Sequence, residues 1–341
     1  MRRALASVVA IGLLALPGHA AQDATRDSLT RTIAETTALA ERVVPQEQRQ
    51  GTLARLARAK AAADAGRLHL ALYELEGAFV MTNAHAFATE KTAVKTDEEF
   101  AAIWKSTREP RAQRSGSADS PSLITAMAAS AARRAPTTYR AALPYGQDAG
   151  VPAGLYYLGE AQALAAFTDF ARGLPWRRQG SAAPIRSIQP ELDAFDAEVT
   201  KAYESMTTAE HSTYIVVSVL LKRAKTLSDN GDHAAALFEY LLARLRFWPL
   251  RKMGETPADD AAFKNARARL SADVDHSVAR VFVEMAEPAL TSDDATQRRN
   301  AGVIMADVLP AYHAALTRAS RETTSAATPA VTITLVRWPF T

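Results

Sequence analysis

Leu56-x-Arg58-Ala59-Lys60-x-x-x-Asp64-x-Gly66-x-x-x-x-Ala71-Leu72-Tyr73-Glu74-x-x-x-Ala78 returns 165 residues further on. There it reads Leu221-x-Arg223-Ala224-Lys225-x-x-x-Asp229-x-Gly231-x-x-x-x-Ala236-Leu237-Phe238-Glu239-x-x-x-Ala243. Alanine matches alone carry little weight in so alanine-rich a chain. Arg, Lys, Asp, Gly and Glu in one register carry more, and they mark an internal duplication.

Each copy reads as a helical hairpin. In the first, residues 46–64 form one arm, and Leu68, Leu72, Leu75 and Phe79 recur at helical spacing on the other. Gly66 and Gly231 suit the left-handed position just past a helix end, which a side chain disfavours. Ala71 and Ala236 let the arms approach, while Tyr73 and Phe238 fill the space beside them. An antiparallel return brings Glu74 alongside Arg58 and Lys60, and Glu239 alongside Arg223 and Lys225. The expectation is a surface clasp in each hairpin, contributing about 0–1 kcal/mol. A polar site repeated in both halves is the functional alternative.

Working outward, Leu29, Ile33, Ala40 and Val43 share one face of a helix that ends before Pro45. Further helices are expected at 97–107, 122–134, 154–172, 190–206, 209–229, 232–247 and 258–287, the last stopped by Pro288. One or two more surround Pro310. Gly146, Gly150 and Gly154, with Pro144 and Pro152 among them, read as a turn-rich loop, as do residues 108–121. Pro175, Pro184 and Pro190 mark 173–190 as a linker. The fold class is therefore all-α: antiparallel hairpins in two related halves, 21–172 and 191–322, followed by a tail from 323.

The second copy resembles the tetratricopeptide repeat: Leu220, Ala224 and Leu227 on its first helix, then Gly231, Ala236, Tyr240 and Ala243, with Pro249 near the end. The resemblance covers two windows of about 34 residues, and the copies are not in tandem. It implies α-solenoid-like helix pairs whose concave face binds peptides or proteins.

The N-terminus reads as a secretory signal peptide. Arg2 and Arg3 are followed by the apolar stretch Ala4 to Leu16, then Pro17-Gly18-His19-Ala20, with cleavage expected after Ala20. Thirteen positions are fewer than the ~20 a bilayer span needs. Losing Arg2 and Arg3 leaves 38 basic against 37 acidic residues. A near-neutral chain offers no general argument for nucleic acid or anionic membranes. With no cysteine, thiol nucleophiles, disulfides and cysteine-ligated zinc are excluded. None of Asn83, Asn230, Asn265 and Asn300 opens a glycosylation motif. The expected location is periplasmic or secreted.

No zincin, di-iron, dinucleotide-loop, phosphate-loop or nucleophile-elbow pattern occurs. Catalytic residues, cofactors and metals are accordingly not expected; Asp273 and His276, one turn apart, read as a surface hydrogen bond. Candidate binding residues are Arg108, Arg111 and Arg114 in one loop and Trp176, Arg177 and Arg178 in the linker. Tryptophan beside arginine is the composition of an interface hot spot.

Val331-Thr332-Ile333-Thr334-Leu335-Val336, followed by Arg337-Trp338, alternates like a strand. Ile333, Leu335 and Trp338 join the candidates, because a strand needs a neighbour. It pairs in a homodimer, within this chain, or on the sheet edge of a protein partner. The expected function is non-catalytic binding of proteins or peptides; the alternative is a small or lipidic ligand held between the halves.

Overall fold

A computed structural model describes residues 17–111, 122–176, 185–251, 277–290 and 292–326. The described residues are helical almost throughout, without a strand. The first half holds α1 (Pro17–Val43), α2 (Gln46–Asp64), α3 (Leu68–Glu90), α4 (Asp97–Ser106), α5 (Leu123–Ala149) and α6 (Val151–Gly173). The second holds α7 (Gln189–Tyr203), α8 (His211–Asp229), α9 (His233–Phe247), α10 (Ser277–Ala289), α11 (Ala295–Val303) and α12 (Leu309–Ala326). The strand-like tail, with Ile333, Leu335 and Trp338, lies outside the described residues, as do Asp273 and His276.

Both hairpins close with the same pair of backbone bonds. After α2, Gly66 N–H donates to Ala63 and Arg67 N–H to Ala62, at 3.0 and 2.8 Å. After α8, Gly231 N–H donates to Ser228 and Asp232 N–H to Leu227, at 3.0 and 2.9 Å. This is the Schellman arrangement, and it requires the positive φ both glycines adopt, +73° and +79°.

The hairpins meet through their second arms. Tyr73 on α3 and Phe238 on α9, which occupy the same register position, touch edge to face with centroids 6.3 Å apart. Around them helices cross between the halves: α5 packs on α9, α10 packs on α3, and α5 and α10 touch. One core runs from Leu29 through Phe238 to Ala315, drawing on both halves and on Leu174, Ile185 and Ile188 of the connecting segment.

Two departures from the sequence reading have physical causes. α5 runs through Pro136 and Pro144 to Ala149, although an interior proline costs a helix about 3 kcal/mol. Residues 126 to 132 are buried on every side, with Ala135 and Ala142 beyond them, and that burial outweighs the cost. The glycines read as a loop instead make a helix contact: Phe100 of α4 lies against Gly146 and Gly154, and a Cβ on either would overlap its ring. Only Gly150, at φ +91°, turns the chain. Near the C-terminus, a π-helical stretch, Ile304–Val308, precedes Pro310. The ring of Pro310 would clash with the carbonyl four residues back, and the widened turn accommodates it.

No atom but a flexible arginine tip lies near Gly66, and nothing lies near Gly231, so replacing either by alanine isolates the backbone cost. Gly66→Ala and Gly231→Ala are each expected to destabilise by about 1–2 kcal/mol. Urea unfolding would show a lower midpoint for both, with an unchanged slope.

Candidate functional site

The two clasps expected from the sequence differ in the structure. In the first hairpin, Arg58 grips Glu74 with both ends of its guanidinium, Nε at 3.3 Å and Nη2 at 3.1 Å. Arg55 adds to the same carboxylate at 3.3 Å, and its guanidinium lies flat on Gly77, where no Cβ intrudes. Lys60 turns instead to Asp64 on its own helix, 2.6 Å away.

In the second hairpin the equivalent pair is open. Residues 235 to 243 of α9 are all buried, so Glu239 is only 4% exposed and is not a surface clasp. Ser130 of α5 donates to its Oε1. Oε2 is buried with no hydrogen-bond partner. Half-buried Arg223, among the described residues, makes neither a hydrogen bond nor an ion pair. Lys225 is drawn off to Asp196 of α7, at 2.7 Å. Arg134 of α5 stands nearby, bonded to Glu76 of α3 at 3.0 Å and 3.9 Å from Glu160 of α6. Five helices thus converge on the open pair. Burial pushes the Glu239 carboxyl above its ordinary range, against the pull of Arg223 and Ser130. Burial, with repulsion from Arg134, holds the Arg223 guanidinium below its ordinary value.

The other buried carboxylates are satisfied. Glu284 of α10 accepts from Leu70 N–H at 2.9 Å and meets His69 Nδ1 at 2.8 Å, capping the N-terminus of α3. Asp232, at the start of α9, takes Arg133 of α5 at 2.8 Å. Asp307, in the π-helical stretch, is shared by Arg244 and Arg251. Among the described residues, Glu239 has the only carboxylate oxygen buried without a partner.

A second feature separates the hairpins. α8 exposes Ile215, Val216 and Val219 by 60, 47 and 41%. Beside them, Tyr203, itself exposed, packs on Tyr214 with centroids 4.8 Å apart. The register-equivalent positions on α2 are Gln50, Gly51 and Ala54, and they too are exposed. The fold therefore accepts small or polar residues at this place. Only the second hairpin carries branched apolar side chains there.

The residues singled out in the sequence are dispersed. Trp176 is half-buried against the core, its ring 4.3 Å from that of His69. Arg108 is exposed, and its carbonyl accepts from Gln162 at 3.1 Å; Arg111 is exposed as well. Arg114, Arg177 and Arg178 lie outside the described residues. Sequence reasoning missed the α8 strip, whose signal was the unmatched residues just ahead of the repeated segment. No protein-family model matches the chain, and neither a curated protein nor a solved structure is similar to it.

The raised titration of Glu239 has a definite sign. With its native pKa above the unfolded one, its burial costs nothing below the unfolded pKa. Stability falls as pH rises from there through the native pKa. Glu239→Gln removes that dependence and keeps an acceptor for Ser130. Thermal melts from acid to neutral pH should show the variant gaining on the native protein as pH rises, with the difference vanishing in acid.

Proposed function

We propose that this is an exported, non-catalytic helical protein, built on two tetratricopeptide-like hairpins, that binds other proteins through α8. One observation carries the reading: Ile215, Val216 and Val219 are exposed where the first hairpin places Gln50, Gly51 and Ala54. Single exposed apolar residues are ordinary, but these are adjacent, ordered on a helix and continued by Tyr203 and Tyr214. With about half of each side chain already covered, covering the rest contributes about 1 kcal/mol per residue, enough with the tyrosines for a modest interface. The occupant that fits is an amphipathic segment of a partner, laying its apolar face along α8. The reading as an exported protein rests on the residues before Ala21. Among the described residues no helix is long and apolar enough to cross a membrane.

Ile215→Glu and Val219→Glu should leave stability within about 0.5 kcal/mol, since neither side chain is buried. They should abolish photocrosslinking from position 216 to a single protein species in the producing cell. A crosslinker at position 51, on the equivalent face of α2, should give no adduct. Identical adducts from both positions, none from 216, or an adduct only to a second copy of this chain would each defeat the proposal. The export reading is checked separately by N-terminal sequencing of the mature protein, which should begin at Ala21.

A further inference from the structure

The first hairpin is an internal reference for the second. Positions 58 and 74 carry arginine and glutamate that bind each other directly. Positions 223 and 239 carry the same residue types at the same register, yet the direct clasp is absent. One oxygen of Glu239 is taken by Ser130, the other is buried and unpartnered, and half-buried Arg223 makes no hydrogen bond or ion pair to another protein group. Arg134 does not fill the gap, being engaged by Glu76 and Glu160. On a helix packed on all sides, a carboxylate at 239 carries a desolvation cost that an apolar residue would not. The retained open pair instead matches an occupant.

The complement of a guanidinium is a planar carboxylate, and that of a carboxylate oxygen is an N–H donor. A molecule replacing the direct clasp carries both. We infer that the open pair Arg223–Glu239 is a binding site for a small zwitterion, a free amino acid or short peptide. Its carboxylate meets Arg223 and its ammonium meets Glu239. Ser130, Arg134, Glu76 and Glu160 form the polar wall around it. The site stands apart from the α8 strip, and either can fail without the other.

The test uses the full mature protein with each of the twenty free L-amino acids, and glycylglycine as the peptide arm, at millimolar concentration. Thermal melting identifies a stabilising probe and titration calorimetry measures its Kd. At least one probe should raise the melting temperature and bind saturably. Arg223→Met and Glu239→Gln should each weaken that binding at least about tenfold, with unchanged helical circular dichroism. Ile215→Glu should leave it intact. No stabilisation by any probe, or binding indifferent to both variants, overturns the assignment. So does a crystal structure, grown with the stabilising probe, in which only water bridges the pair.

Discussion

The architecture depends on α9 being surrounded. A helix that is apolar on one stripe can sit at a surface, but one buried from residue 235 to residue 243 must be covered on every side. The cover comes from its own partner α8, from α5 of the first half, and from α10, the π-helical stretch and α12 of the second. Tyr73 and Phe238 mark where the second arms meet. Because α5 must reach across to α9 and α10 to α3, the halves cannot be separated without exposing both second arms.

The crossing also decides where the charges go. Arg133 on α5 meets Asp232 at the start of α9, and Glu284 on α10 caps the start of α3. α5 and α10 therefore each anchor the N-terminus of the opposite hairpin's second arm, where the helix carries its partial positive charge. Breaking such a buried pair costs far more than forming it contributes, so these contacts specify the arrangement more than they strengthen it. Glu239 is caught in the same crossing, but its partner in the hairpin no longer reaches it.

The two hairpins share a register, so each can be read against the other. What the two hairpins share is what a hairpin needs: a glycine at positive φ, a small alanine at the contact, an aromatic beside it. What they do not share is free of that constraint. Gln50, Gly51 and Ala54 against Ile215, Val216 and Val219, and a closed pair against an open one, are the departures that the fold itself does not require. Both fall on α8 and α9, which concentrates the candidate chemistry in the second hairpin.

Local sequence was sufficient for the helical class, for three of the four hairpin arms to within a few residues (α3 runs ten residues past its expected end at 80) and for both glycine turns, because periodicity and φ preference act over short range. It placed Arg58 against Glu74 correctly for the same reason: both lie on one hairpin. It misplaced Glu239, Lys225, Gly146 and Gly154, whose surroundings come from other helices. Burial by α5 and α6, the pull of Asp196 on Lys225 and the ring of Phe100 between two glycines are contacts made across long stretches of chain. No period of 3.6 residues encodes them. The sequence by itself determined what each segment becomes; the tertiary packing alone decided which charges lose their water and which apolar residues keep it.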